Sequence, residues 1–344
     1  MKLAVIGTGR IVHEALDAIR KVPDITVTSI LARPQSLEKA RRLAREYGIF
    51  EVCTDYSLLL ESTEASTVYI GIVNSVHYSY AKEALLKGKN VILEKPLTGY
   101  YDEALSLASL AREKGLFLLE AITVLHSRVF RKMKASIGRI GRIRAMQLNF
   151  SQYSSRYDSY LDKVVDPCFD RAEYGGALYD INVYNIHYAV GLFGMPRAVH
   201  YYPNLGFNGV DTSGVLILDY DGFKASLVAA KDSDSPCFVS IQGEKGYMRV
   251  DGKPNNPTSL SIVQVDESVN EKVKDASGAM VRASVREEYT DDMESHRMRG
   301  EFVDFSSIMD TGDRAEADRL LDESLAVMKV LEMARESAGI VFPS

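Results

Sequence analysis

Cysteine is scarce in this 344-residue chain: Cys53, Cys168 and Cys237 stand far apart, in no Cys-x-x-Cys spacing. That excludes a disulfide framework and a cysteine-based zinc site. Clustered charge of one sign is missing too. The formal net charge is −6 and the basic residues are scattered, leaving no electrostatic footprint for nucleic acid or an anionic membrane. No apolar run approaches the length needed to span a bilayer. The chain opens directly on a strand-like run, Lys2 to Ile6, which leaves no room for a cleavable leader, so the expectation is a cytoplasmic protein. Internal repeats and low-complexity tracts are absent, and the histidines, His126 among them, show no mutual spacing for a metal. What remains is an ordinary globular balance, 46% apolar and 26% charged, with length for two cores.

From Lys2 onward, short β-rich runs alternate with helical stretches. The runs fall at Leu3 to Ile6, Ile25 to Leu31, Val68 to Val73, Val91 to Leu93 and Leu116 to Leu119, and such alternation predicts an α/β, doubly wound parallel sheet of Rossmann type. The first run ends in Gly7-Thr8-Gly9-Arg10-Ile11-Val12 before a helix through His13 to Arg20. Two glycines let the backbone turn sharply and approach a pyrophosphate, whose charge meets the free amides and positive end of the helix. The third glycine of the dinucleotide fingerprint is missing, with Val12 in its place, at a position that governs helix-to-strand packing more than phosphate contact.

Also missing is the acid that normally closes the second strand and holds the ribose hydroxyls of NAD. Leu31-Ala32-Arg33-Pro34 puts a small residue and a planar cation there instead, which leaves space for a 2′-phosphate and favours NADP, with NAD the alternative. The competing reading of Arg33 is a residue that caps the sheet edge or stacks on adenine. Val73-Asn74-Ser75-Val76-His77 and Asn90-Val91-Ile92-Leu93-Glu94-Lys95-Pro96 end at the same carboxyl edge, where open α/β sheets bind ligands. Asn74 and His77 read either as a helix cap and a first-turn residue or as contacts to the nicotinamide ribose. An ammonium at Lys95, beside a stiffening Pro96, can hold a substrate oxygen in one place.

A boundary near Ala121 divides residues 1–121, a dinucleotide-binding domain, from a second domain over residues 122–344. Beyond a helix around Arg128 to Ile137, the run Ile140 to Tyr153 sets Arg144, Met146, Leu148 and Phe150 on one face and Ala145, Gln147 and Asn149 on the other, a half-buried strand. Runs at Ala198 to Tyr202, Gly214 to Tyr220, Lys224 to Ala230, Cys237 to Gln242, Tyr247 to Val250 and Ser259 to Val265 continue the pattern, with hairpin turns at Asp221-Gly222 and Glu244-Lys245-Gly246. They predict an α+β domain with a large open, mostly antiparallel sheet. Helices over Gly176 to Phe193, Asp292 to Ile308 and Arg314 to Ser337 can cover one face, and the other must be solvated or buried by a partner. Glu267 to Glu288 reads as a loop or ragged hairpin. On the helix beginning near Leu178, Asp180, Tyr184 and His187 follow i, i+4, i+7 spacing and share a face. Such a polar stripe must be satisfied by solvent, by the sheet or by a ligand.

In order and spacing, the Gly-Thr-Gly-Arg-Ile turn, Val73 to His77, and Glu94-Lys95-Pro96-Leu97 resemble the Gfo/Idh/MocA family of oxidoreductases, relatives of glucose-fructose oxidoreductase, inositol dehydrogenase and dimeric dihydrodiol dehydrogenase. Gly175-Gly176-Ala177-Leu178-Tyr179-Asp180-Ile181-Asn182-Val183-Tyr184 is similar to the glycine-rich entry into the family's acid/base helix. The resemblance spans essentially the whole chain. It implies hydride transfer between NADP or NAD and a secondary alcohol or ketone of a sugar, polyol or diol. Around the cofactor it implies Gly7, Thr8, Gly9, Arg10 and Ile11, then Ala32 and Arg33, then Val73, Asn74 and His77, then Glu94 and Lys95.

The same resemblance makes Lys95, Asp180 and Tyr184 the catalytic and substrate-binding group. Tyr184 would exchange a proton with the carbinol oxygen, Lys95 would draw the phenol toward ionisation, and Asp180 would orient the lysine or relay the proton. His187 would bind substrate hydroxyls or serve only structure. Tyr184 four residues after Asp180 sits closer to the glucose-fructose oxidoreductase and dihydrodiol dehydrogenase branches, while Asn182 stands where glycine is usual, so substrate identity does not carry over. The resemblance also makes residues 122–344 the substrate-binding and oligomerisation domain, with a homodimer or higher oligomer on the open sheet face. The alternative is a nucleotide-binding sensor without turnover, against which the joint presence of Lys95, Asp180 and Tyr184 argues.

Overall fold

The first sheet is buried on both sides. Leu3, Ala4, Val5 and Ile6 have essentially no exposure, as continuous apolar strands require when helices cover both faces. In the computed structural model, which describes residues 1–291 and 296–343, this half runs β1 (Lys2–Ile6), α1 (Arg10–Ile19), β2 (Thr26–Leu31), α2 (Leu37–Tyr47), β3 (Glu51–Cys53), α3 (Tyr56–Ser62), β4 (Thr67–Ile70), α4 (His77–Leu86), β5 (Asn90–Glu94), α5 (Tyr101–Glu113) and β6 (Leu118–Ala121). The strands are all parallel in the order β3-β2-β1-β4-β5-β6. The order reverses between β1 and β4, so the loops leaving those two strands diverge and open a crevice. The three-residue β3 is an addition to the expected strands, and β4 ends at Ile70, leaving Gly71 to Val73 as loop.

The missing third glycine is compensated from the neighbouring strand. Val12 is fully buried, and a Cβ added to Gly71 would lie 2.9 Å from its Cγ2. The glycine that lets helix and sheet approach has moved from α1 to the end of β4. Gly7, at φ 115°, is held to glycine because a Cβ there would run into the Gly71 carbonyl.

The second half contributes α6 (Thr123–His126), α7 (Arg128–Ser136), β7 (Ile143–Ser151), α8 (Tyr157–Leu161), α9 (Val183–Phe193), β8 (Ala198–Leu205), β9 (Asp211–Tyr220), β10 (Phe223–Ala230), β11 (Phe238–Gly243), β12 (Gly246–Asp251), β13 (Ser259–Val265), β14 (Lys272–Lys274), β15 (Met280–Arg282), β16 (Ser284–Thr290), α10 (Arg299–Thr311) and α11 (Arg314–Ser337). Eight strands form one sheet, β16-β13-β12-β11-β7-β10-β9-β8. It is mixed: β7 and β10 pair in parallel and every other neighbouring pair is antiparallel. Parallel neighbours need a long crossover, and α9 lies in the connection between these two. The stretch read as Glu267 to Glu288 holds the β14–β15 hairpin and the start of β16.

Two other boundaries shift. The strand read over Ile140 to Tyr153 is confined to β7, because Ile137–Ile140 forms a 3₁₀ turn ending at Gly141 with φ 75°. The helix read from Asp292 is described only from Arg299, and residues 292–295 of that reading lie outside the described residues.

Alternation along the eight strands sends Met146, Leu148, Phe150, Leu216, Leu227, Val239, Ile241 and Met248 inward to near-zero exposure. The reverse face carries Tyr202, Val215 and Tyr247 exposed. Helix α11, started by the Asp313 side chain accepting the Glu316 N–H at 3.0 Å, packs on α9 and β8 on one side and on α5 and β6 on the other. It ties the two sheets into one continuous buried cluster.

Candidate active site

The crevice at the strand-order reversal is a cavity of about 740 Å³. Its floor is the Gly7-Thr8-Gly9 turn with Ile11, and one wall is Ala32, Arg33, Ser36 and Lys39 beyond β2. Gly71, Ile72 and Val73 form the other wall, with the paired rings of Tyr56 and Tyr80 also lining the cleft. Gly9 caps α1 with no side-chain hydrogen bond, and the first turn carries no acid, so its amides suit a phosphate. These residues fit a dinucleotide. Arg33, Ser36 and Lys39 on one wall, with no acid among the lining residues beyond β2, suit a 2′-phosphate. Ser36 and Lys39 escaped the sequence reading because a helix start after Pro34 gave no sign of facing the cleft.

Several residues expected at the cofactor lie outside that cavity. Arg10 is exposed, with Nε 3.2 Å from Glu14. The Asn74 amide donates to the Tyr174 carbonyl at 3.2 Å. His77 is fully buried, its Nδ1 3.0 Å from the Pro96 carbonyl and its Nε2 3.2 Å from that of Ile72, and burial pulls its pKa down. Glu94 is buried and accepts the Tyr69 hydroxyl at 2.7 Å. Burial outweighs that bond and the nearby cations, pushing Glu94 up to about 6. The two domains are clasped here, since Tyr179 Oη donates to the Gly99 carbonyl at 3.2 Å and Ser75 meets Glu173.

At the far end of the same edge, Lys95 leaves β5 across a cis peptide to Pro96 and meets the second domain. Its ammonium donates to the Asp180 carbonyl at 2.6 Å and to Asp180 Oδ1 at 3.0 Å. Asp180 lies in a wide π turn, Leu178–Asn182, that feeds α9. Such turns recur at functional sites because they re-aim side chains. Its other oxygen, Oδ2, is 2.7 Å from Lys231 Nζ. Lys95 Nζ stands 5.1 Å from the centroid of the Tyr184 ring.

Electrostatics follow from that crowding. Burial opposes charge on Lys95, but Tyr184 and Asp180 outweigh it and hold the ammonium above its ordinary pKa. Burial likewise opposes charge on Asp180, yet Lys231 and Lys95 hold its carboxyl well below the usual range. For Tyr184 burial wins and the phenol is raised, with Lys95 and then Arg297 pulling the other way. Arg297, whose Nε donates to Glu14 at 3.0 Å, is a second cation whose field reaches the phenol. Neither Lys231 nor Arg297 was singled out from sequence. Lys231 simply ends an apolar strand, and Arg297 sits in a polar stretch with no motif.

His187 and Asn182 face elsewhere. His187 has no exposure, and its Nε2 is 3.3 Å from the equally buried Glu120 Oε2, one turn along α9 from Tyr184. The wide turn shifts only Asp180 against α9; Tyr184 and His187 share the regular helix, and His187 leaves the stripe because it lies one turn farther along, packed on Glu120 of β6. Asn182 is buried against β10, accepting from Asn185 Nδ2 at 2.8 Å, and so neither narrows the cleft nor faces it. Among the described residues no group of three or more His, Cys, Asp or Glu side chains could hold a metal, and no described helix is long and apolar enough to cross a membrane.

A dinucleotide cleft at the carboxyl edge of one domain's sheet, with a lysine–aspartate–tyrosine group at the same edge shared with a second domain, defines a two-domain nicotinamide-dependent oxidoreductase. Residues 1–121 match the oxidoreductase family with an NAD-binding Rossmann fold, and residues 130–249 match the GFO/IDH/MocA C-terminal domain. The chain belongs to the GFO/IDH/MocA family. It is 30% identical to scyllo-inositol 2-dehydrogenase (NADP(+)) IolU of Bacillus subtilis, over 100% of this chain and 99% of that protein. Against trans-1,2-dihydrobenzene-1,2-diol dehydrogenase of Xenopus tropicalis it is 25% identical, over 76% and 78% of the two chains. Its fold superposes on KijD10, a 3-ketoreductase from Actinomadura kijaniata solved with NADP and TDP-benzene, with TM-score 0.81 and 23% identity over 98% and 97% of the chains. The protein is an NAD(P)-dependent oxidoreductase acting on CH–OH groups or the corresponding ketones.

Proposed function

We propose that this protein is an NADP-preferring dehydrogenase or reductase for a secondary carbinol or ketone on a cyclic polyol, sugar or diol, with Lys95, Asp180 and Tyr184 as its catalytic group. The observation that carries the reading is the meeting of Lys95 and Asp180 from two domains at 3.0 Å beside Tyr184. The bound nicotinamide supplies hydride transfer. The protein's own residues must move one proton and stabilise charge on oxygen. In oxidation, the Tyr184 phenolate takes the carbinol proton as the C–H bond gives up hydride; in reduction, the phenol returns a proton to the forming alkoxide. Because burial raises the phenol, Tyr184 is protonated at neutral pH, which suits reduction, and oxidation gains with rising pH. Lys95 and Asp180 retain 13% and 32% exposure, enough to touch a ligand oxygen.

The Arg33, Ser36 and Lys39 wall supports the NADP preference, and the exposed apolar residues of the outer sheet face support a homodimer. The test is to mix the purified protein with NADPH or NADP and a panel containing scyllo-inositol, D-xylose, trans-1,2-dihydrobenzene-1,2-diol and their ketones, following nicotinamide absorbance. Turnover of a vicinal diol or cyclic polyol is expected. Tight cofactor binding with no turnover across the panel would overturn the reading.

A further inference from the structure

Lys231 carries a buried ammonium, its side chain only 4% exposed. Burying such a charge costs several kcal/mol unless good partners replace water. Three partners do. Asp180 Oδ2 lies at 2.7 Å, the Cys168 carbonyl accepts at 2.6 Å, and the Phe169 ring centroid is 4.3 Å away. The backbone N–H of Lys231 is fixed as well, donating to the Thr212 carbonyl at 2.8 Å as the chain leaves β10.

The carboxylate of Asp180 is therefore divided between two domains. Oδ1 goes to Lys95 at the end of β5 in the first, and Oδ2 goes to Lys231 at the end of β10 in the second. A Lys95–Asp180 pair alone would present zero net charge to the cleft. Adding Lys231 makes the group two cations to one anion, a net +1. With Oδ2 occupied, the carboxylate also cannot rotate to engage Lys95 through both oxygens. We propose that Lys231 is a positioning residue: it anchors Asp180, keeps Lys95 aimed at the reacting oxygen, and supplies the second positive charge that prevents Asp180 from neutralising Lys95.

The surrounding groups fit this assignment. Asp211 of β9, which the field of Lys231 reaches, accepts the Leu178 N–H at 2.7 Å and the Tyr201 hydroxyl at 2.7 Å, so it holds the start of the wide turn. Cys168 approaches Lys231 from the loop before the turn, and Asp232 follows it in the chain, committed to Thr212 and Ser213. Facing Tyr184 are Lys95, Arg297, Glu94 and Asp180.

The inference rests on the catalytic reading above, and its test separates the two. In Lys231→Met, kcat on the panel member that turns over should fall by about 10- to 100-fold, the usual scale for removing the partner that orients a functional ligand. The KM for NADP should stay unchanged, and the pH at which the oxidation rate reaches half its plateau should move upward. Lys231→Arg should restore the wild-type profile. A lower melting temperature with kcat and pH profile unchanged would make Lys231 merely structural and overturn the proposal. Lys231→Gln, which keeps an N–H for the Cys168 carbonyl but no charge, gives the same discrimination should the methionine variant fail to fold. Melting temperatures supply a readout that needs no substrate: the losses in Lys231→Gln and Asp180→Asn should overlap in the double variant, and full additivity would overturn the anchoring. Full activity in Tyr184→Phe would sink the acid–base reading alone, leaving the anchoring of Asp180 to be judged by that cycle.

Discussion

Lys95 and Asp180, 85 positions apart in sequence, meet through two hydrogen bonds across the domain junction, one to the backbone carbonyl at 2.6 Å and one to the carboxylate at 3.0 Å. The double contact fixes both the turn and the side chain of Asp180 relative to the end of β5. It also places the lysine ammonium where its field reaches Tyr184.

Lys95→Met keeps length and apolar bulk while deleting the charge, so cofactor should still bind while hydride transfer collapses. Tyr184→Phe removes one hydroxyl, and loss of a general acid–base group costs about 10²- to 10⁴-fold in kcat. If the two act as one unit, the double variant should be little worse than either alone. Single-turnover rates from all three variants decide this, and multiplicative losses would show that the proton travels by a route without Tyr184.

Much of this site was legible because its parts end strands. Glu94-Lys95-Pro96 stops an apolar run abruptly, and Gly7-Thr8-Gly9 sits between the first strand and its helix, so local pattern alone put both at one sheet edge. What stayed hidden depends on tertiary pairing. Strand alternation has the same period in parallel and antiparallel sheets, so the β7–β10 pairing left no mark on the sequence. Helical spacing put His187 on the face of Tyr184 but could not tell which turn of α9 meets the cleft; His187 lies one turn farther along, packed on the buried Glu120 of β6. Lys231 looked like any strand-terminal lysine until the fold set it against Asp180. Val12 looked like a defect until Gly71 stood opposite it.

Cofactor choice should follow the wall beyond β2. Arg33→Ala is expected to weaken NADP binding strongly and NAD binding little, and Lys39→Ala to add to the loss. Nucleotide titrations by NADPH fluorescence test this, and a wild-type protein that prefers NAD would refute the role given to Arg33.

Assembly should use the sheet's outer face, where Tyr202 and Val215 pair directly across β8 and β9, exposed at 65% and 37%. Sedimentation at micromolar concentration should give a dimer or larger species. Tyr202→Glu with Val215→Lys should shift it toward monomer while the cofactor still binds. A clean wild-type monomer would rule this interface out.

Glu301 gives the sharpest dependence of stability on pH. Its carboxyl, 1% exposed at the start of α10, has no hydrogen-bond partner for either oxygen among the described residues. Burial first, and then the field of Glu94, push its pKa well above the ordinary value. A carboxyl raised on folding stays protonated where the unfolded chain would ionise. Its stabilising share is therefore complete below the unfolded value, near 4.5, and is lost as pH climbs toward the folded one. The slope in that window is about 1.4 kcal/mol per pH unit. Glu301→Gln removes this titration while keeping size and polarity. Its melting temperature relative to wild type should therefore rise steadily from pH 5 to pH 8, with Glu94, pushed up to about 6, adding a shared background to both proteins. A difference that stays flat across that range would mean the carboxyl is ionised in the folded protein, paired with Arg297 in place of facing Glu94 as a neutral acid.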